Sequence, residues 1–246
     1  MKTIDLNCDL GEGMPSDADI MPYISSANIA CGYHAGDETT MRNTIDLCLK
    51  YGVAIGAHPG FDDRKNFGRM EVQLSADEVY DLVWKQLEII YTICKEKSAR
   101  LHHVKLHGAL YNMAAKYRFI SRITAEAVWD FDPSLVYYGL SGSVMIEEAQ
   151  ALGLKAAHEV FADRTYQFDG SLTPRSQSNA LIEDVDMAVQ QVLQMITEHS
   201  VMTTDNKLHP LQVDTVCIHG DGYEPVHFAR VISSSLKKSG VDIRSD

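Results

Sequence analysis

The 246-residue sequence predicts an α/β fold, a seven-stranded, irregular (β/α) barrel formed as one domain over residues 1–246. Three observations carry that prediction. Strand and helix patterns alternate along the chain, which implies a parallel sheet. Seven strand patterns occur, at residues 3–9, 24–31, 53–58, 101–107, 135–141, 154–161 and 213–219. Several have one apolar face and one small or polar face, whereas strands of an open sheet covered by helices on both sides read as near-continuous apolar runs. A doubly wound open sheet satisfies the first two observations. The third favours helices outside and a polar lumen inside.

In the first strand Ile4, Leu6, Cys8 and Leu10 alternate with Asp5, Asn7 and Asp9, the period of two that marks a strand. Its polar side is expected to face the lumen, with Asp5 and Asn7 building the floor. Asp9 and Glu12 would then reach the mouth, near His34, His58 and Lys105. Asp37 can cap a helix that runs through Tyr51 and stops at Gly52. In 53–58, Ala54, Gly56 and His58 lie opposite Val53, Ile55 and Ala57. Residues 75–97 form the clearest helix, opened by the Ser75–Glu78 capping box. Val79, Leu82, Val83, Leu87, Ile90 and Cys94 supply its apolar stripe. In 101–107, His103, Lys105 and His107 share a face opposite Val104 and Leu106. Weaker helical patterns cover 117–131 and 143–152. A further helix is predicted over 178–199, starting with Leu181 and Ile182. Residues 201–212 read as a surface insertion with a hairpin at Asp205-Asn206. The last helix starts near Pro225 and stops at Gly240.

Composition excludes several function classes. The chain carries a net charge of −12, which opposes a nucleic-acid or anionic-membrane partner. No apolar run approaches the roughly 20 residues that span a bilayer. The N-terminus reads directly as a strand rather than a signal peptide. Five cysteines without CxxC spacing point to reduced thiols, and a cytoplasmic location is expected.

In either α/β architecture the site lies at the carboxyl ends of the strands. Titratable residues gather at every strand end except the fifth, which closes in Ser141-Gly142-Ser143. In chain order they are Asp9 and Glu12; His34 and Asp37; His58, Asp62 and Asp63; Lys105 and His107; Glu159, Asp163 and Arg164; and His219 and Asp221. Scatter over helix surfaces would be expected if they served only solubility, so the convergence points to an active site. Asp37 alone also reads as a simple helix cap. The long stretch 162–178 brings Arg164 and Arg175 to an acidic rim, where an arginine can grip a carboxylate. No Walker or GxGxxG fingerprint occurs. Asp9, His34 and His58 come from neighbouring strand ends and form a chemically reasonable set for a divalent ion. A metal-free hydrogen-bonded cluster is the alternative. On a strand, His103 and His107 lie about 13 Å apart, too far to share an ion.

The segments DLNCDLGEG, ANIACGYHAGD, GVAIGAHPGFDD, FGR, HVKLHGALYN, EVFADRTYQFDG and CIHGD, in this order from residue 5 to residue 221, resemble the LamB/YcsF family of 5-oxoprolinase subunits. The resemblance implies a barrel of the glycoside hydrolase/deacetylase type. It implies one component of an ATP-dependent cyclic amide hydrolase that opens 5-oxo-L-proline to L-glutamate, converting ATP to ADP and phosphate. Two other subunits would be partners, and Mg²⁺ would accompany the nucleotide. On this resemblance the catalytic candidates are Asp9, Glu12, His34, Asp37, His58, Lys105, His107 and His219. The substrate-binding candidates are Asn7, Glu159, Asp163, Arg164, Arg175 and Asp221. The sequence departs from the family pattern at Leu106, where Pro is usual, at Gly60, where Ser is usual, at Asn66, and at Gly222-Tyr-Glu, where Thr-Pro is expected. None of these changes removes a titratable group. Two alternatives stand beside this reading: a metal-dependent deacetylase or amidohydrolase, and a non-catalytic component that binds substrate or docks partners.

Overall fold

A computed structural model describes residues 2–245. The alternation in β1 (Lys2–Leu10) sends Ile4, Leu6, Cys8 and Leu10 into the apolar layer beneath the helices, and Asp5, Asn7 and Asp9 into the lumen. Both sets are buried. Parallel neighbours follow in chain order: β2 (Ser26–Ala30), β3 (Ala54–His58), β4 (Leu101–Lys105), β5 (Val136–Leu140) and β6 (Lys155–Phe161). The chain then leaves the barrel for the antiparallel hairpin of β7 (Ser200–Met202) and β8 (Leu208–Pro210), turned by Asp205-Asn206 as expected. β9 (Thr215–His219) returns between β6 and β1 and closes a ring of seven parallel strands. β10 (Val241–Ile243), which the strand pattern missed, adds beside the start of β1.

Register decides which side chains meet. Asp9 lies level with Asn28 on one side and His219 on the other, and Ala30 is level with His58. The irregularity is local: the β3–β4 register shifts between Ile55 and Gly56. Gly56 faces the His103 ring so closely that a Cβ there would lie 2.1 Å from Nε2. Only a residue without a side chain fits, and the ring takes the volume.

The helices cover the outside. After the short α1 (Asp17–Ile20), α2 (Glu38–Tyr51) is capped by Asp37 and ended by Gly52 in the left-handed region. α3 (Ala76–Glu96) has the complete Ser75–Glu78 capping box. α4 (Gly108–Lys116) starts immediately after His107, so the predicted strand 101–107 ends two residues early. α5 (Arg118–Phe131) and α6 (Val144–Leu152) follow. α7 (Val185–Glu198) corrects the helix predicted over 178–199. Asp184 caps it through the amides of Asp186 and Met187, while Ile182 donates its amide to Asp163 O at 2.9 Å. Leu181 and Ile182 thus belong to an extended segment that lines the mouth. α8 (Pro225–Lys238) completes the layer.

Candidate functional site

The lumen is built in layers. At the floor, the Asp5 carboxylate accepts from the hydroxyls of Ser25, Ser26, Tyr138 and Thr215, at 2.6, 2.7, 3.0 and 2.6 Å. Four donors around one buried carboxylate satisfy an anion that burial would otherwise penalise. Above it, Asn28 donates to Asn7 Oδ1 and Asp9 Oδ1, both at 2.7 Å, and Asn7 donates to Glu159 at 3.0 Å and Thr215 at 2.7 Å. His103 pairs with Asn28 Oδ1 at 2.8 Å and stacks on Tyr138. This network fixes the groups above it.

Lys105 occupies the centre. Its ammonium lies 2.8 Å from Asp9 Oδ1, 2.8 Å from Glu159 Oε1, 3.0 Å from Cys217 Sγ and 3.3 Å from Asn7 Oδ1. Burial opposes its charge, but Asp9, Cys217 and Glu159 hold its pKa well above the ordinary lysine value. Burial also opposes the charge on Asp9, and His58 with Lys105 holds that carboxyl well below the usual range. The ion pair is therefore charged on both sides.

Beside it lie four groups from different strand ends. His58 Nε2 is 3.4 Å from Asp9 Oδ2 and 2.9 Å from His107 Nδ1. Glu12 Oε1 is 3.3 Å from His34 Nε2 and 3.5 Å from His107 Nδ1. Gly68, at φ +62°, lets the 64–68 turn lie against the His107 ring and the His34 Cβ, where an added Cβ would sit 2.9 Å from each. Burial, with the neighbouring histidines, pushes His34 down to about 2 and His107 well below the ordinary value. Burial, Asp9 and Asp221 push Glu12 well above the carboxylate range.

Glu12, His34, His58 and His107 each offer one ligand-type atom, all within 4.8 Å of one another. The structure thus groups Glu12 and His107 with the two histidines expected to bind a divalent ion, in place of Asp9, whose Oδ1 is held by Lys105 and Asn28. The donor chemistry suits a transition metal, but the ring geometry does not let His34 and His107 serve the same ion. His34 and His107 are stacked, with centroids 3.7 Å apart and planes 4° from parallel. An imidazole lone pair lies in its ring plane, and a metal–nitrogen bond is about 2.0–2.1 Å long. One ion cannot lie in both planes of two stacked, parallel rings. A second convergence, of Asp9, Cys217 and His219, already surrounds the Lys105 ammonium on its Asp9 and Cys217 sides.

A cleft of about 320 Å³ opens above these groups, lined by Asp9, His58, Lys105, His107, Tyr111 and His219 on the barrel side. Leu172, Thr173, Pro174 and Arg175 of the 162–178 loop form the opposite wall. His219 Nδ1 lies 2.8 and 2.9 Å from the two oxygens of Asp163. A carboxylate only accepts, so Nδ1 carries a proton, and in the neutral ring the lone pair is then on Nε2. Burial disfavours the Asp163 anion, yet His219, with Arg175 and Arg164 beyond it, holds its pKa below the usual range.

Several candidates take other places. Asp37 is exposed, and its carboxylate accepts from the amide and hydroxyl of Thr40, both at 2.8 Å. It is a helix cap outside the cleft, because the turn that starts α2 carries it to the surface. Asn7 and Glu159 are fully buried under Lys105 and do not line the cleft. Arg164 also lines it, but its guanidinium donates to Thr173 O and Ala180 O and ties the loop together. Arg175 is exposed on the wall. Asp221 pairs with Arg69, which also lines the cleft. Sequence reasoning missed Arg69, Asn28 and Tyr111 as site residues. All three lie in the ordered segments, Arg69 in FGR, Asn28 in ANIACGYHAGD and Tyr111 in HVKLHGALYN, but none sits at a strand's carboxyl end with a titratable signal like its neighbours. Burial and the neighbouring Glu159 push the Tyr111 phenol well above its ordinary value.

Comparison with known proteins agrees with this architecture. A 5-oxoprolinase subunit from Bordetella parapertussis is 51% identical over 98% of each chain. Its namesake from Tolumonas auensis is 50% identical over 100% of both chains. The crystal structure of the lactam utilization protein from Thermus thermophilus superposes with a TM-score of 0.93 at 39% identity, covering 100% of both chains. The LamB/YcsF family model matches residues 4–245. The chain belongs to the LamB/YcsF family.

Proposed function

We propose that this protein is the barrel component of a 5-oxoprolinase, an enzyme that opens 5-oxo-L-proline to L-glutamate at the expense of ATP. The observation that carries the reading is the charged Lys105–Asp9 pair beside His58 and the Asp163–His219 dyad in one small cleft. The relatives' names and full-length coverage support the same reaction class.

A five-membered lactam is resonance-stabilised and recloses readily, so its carbonyl carbon must be activated before water attacks. ATP supplies that activation by phosphorylating the ring carbonyl oxygen, within an assembly that includes two other subunits. This chain would supply the acid, base and charge. His219, held in one tautomer by Asp163, is placed to accept a proton from water through Nε2. Lys105 stabilises negative charge developing on oxygen. Arg175 and Arg69 line the side where a substrate carboxylate would be held.

The test mixes the chain with its partner subunits, ATP and 5-oxoproline and measures glutamate. ATP-dependent glutamate that falls sharply with Asp9→Asn and with His219→Ala supports the reading. A well-assembled complex that forms none would sink it. Wild-type turnover in both variants would instead favour a docking role for the barrel.

A further inference from the structure

His58 and His107 pose a protonation problem that their neighbours answer. His58 Nδ1 lies 2.8 Å from Lys105 O, and His107 Nε2 lies 2.8 Å from Phe67 O. Carbonyl oxygens only accept, so each of those nitrogens carries a hydrogen. In neutral rings the remaining nitrogens, His58 Nε2 and His107 Nδ1, would both bear lone pairs. They face one another at 2.9 Å, a normal hydrogen-bond length. Two buried lone pairs at that distance repel unless a cation lies between them.

The stacked His34 and His107 rings argue against a single ion shared by the cluster. A proton needs only the two nitrogens that meet. Asp9 favours a positive charge on the pair, whereas burial and the adjoining His34 oppose one on His107. Asp9 Oδ2 is 3.4 Å from His58 Nε2 and Glu12 Oε1 is 3.5 Å from His107 Nδ1. His34 stacks on His107, Lys105 is held by Asp9 and Glu159, and Arg64 and Arg69 lie farther out, near enough to bear on His34.

We infer that His58 and His107 hold one proton between them as an imidazole–imidazolium pair, and that this proton, rather than a metal ion, is the cation of the histidine cluster. Both rings line the cleft. One consequence rests on the 5-oxoprolinase reading. As the ring carbon–nitrogen bond breaks, its electron pair goes to nitrogen and takes this proton. The pair is recharged by the hydroxyl proton of the tetrahedral intermediate, lost as its carbonyl re-forms, while His219 keeps the first proton taken from water.

The assignment is tested on the full chain alone, without substrate or partners, so failure of the 5-oxoprolinase assay does not touch it. In ¹⁵N-histidine-labelled protein near neutral pH, one far-downfield exchangeable proton should correlate with His58 Nε2 and His107 Nδ1. Stoichiometric Zn²⁺ or Co²⁺ should leave that signal in place. His107→Gln should abolish it in a chain that retains its circular dichroism, and His34→Gln should keep it. Two unprotonated facing nitrogens in the wild-type chain would overturn the assignment. So would uptake of one equivalent of Co²⁺ with a tetrahedral visible spectrum and loss of the signal. These wild-type results decide the question even where a variant fails to fold.

Discussion

The Lys105 ammonium lies 2.8 Å from Asp9 Oδ1, in the middle of a barrel where both residues are buried. The pair links the hydrogen-bonded floor to the cleft, and Glu159 and Cys217 hold the ammonium from its other sides. Such a pair is costly to break from one side, because the surviving partner stays buried and charged.

Lys105→Met should therefore destabilise the protein by about 3–5 kcal/mol, the range for a buried pair that loses one partner. The acid limb should move as well. Asp9 ionises well below the ordinary carboxylate range, opposed by burial and favoured by His58 and Lys105. Its contribution is present above the unfolded carboxylate pKa of about 3.9 and is lost as pH falls through the lower folded value. Without Lys105, acid unfolding should begin at higher pH. Denaturant melts across the acid range check both effects.

Glu12 has the opposite sign. Burial, Asp9 and Asp221 hold its carboxyl well above the ordinary range. The folded state keeps a proton that the unfolded chain releases above about pH 4.3, so Glu12 lowers stability progressively as pH rises from there toward its folded value. Glu12→Gln should stabilise the protein near neutral pH, because the amide carries no proton to lose. The gain should vanish in acid. Thermal melts of both proteins at matched pH values give the comparison.

Asp163→Asn should leave the fold intact and lower kcat by about 100- to 10,000-fold, as expected when a histidine loses the carboxylate that sets its tautomer. The carboxamide can present either a donor or an acceptor to Nδ1, so the Nε2 lone pair is no longer assured. Glutamate formation by the assembled enzyme, with circular dichroism as a control, measures this.

The two loop arginines should separate. Arg164 is buried and bonds Thr173 O and Ala180 O, whereas Arg175 is exposed on the cleft wall. Arg164→Met should loosen residues 162–182 and speed proteolysis there. Arg175→Ala should leave proteolysis unchanged and raise KM for 5-oxoproline about tenfold or more, as expected for a lost charge-assisted bond of roughly 1.5–3 kcal/mol. Limited proteolysis and steady-state kinetics distinguish them.

Features that depend on neighbouring residues were legible in the chain. The alternation in Ile4–Leu10 assigned one face of β1 to the apolar layer and one to the lumen. Local capping at Asp37, Ser75 and Gly52 marked helix ends that the structure shares. Ordered motifs identified the family.

Long-range register and ring orientation came only with the folded barrel. Asp9 meets His219 because β1 and β9, far apart in the chain, pair level with one another. Leu181 and Ile182 have helical spacing, yet the Asp163 carbonyl draws the Ile182 amide into an extended segment. Asp37 and His34 are close in sequence, but the turn between them carries one to solvent and buries the other. The metal question has the same origin. Spacing can bring histidines to one end of a barrel, but the carbonyls of Lys105 and Phe67 decide which ring nitrogens face each other. Stacking decides which lone pairs can meet.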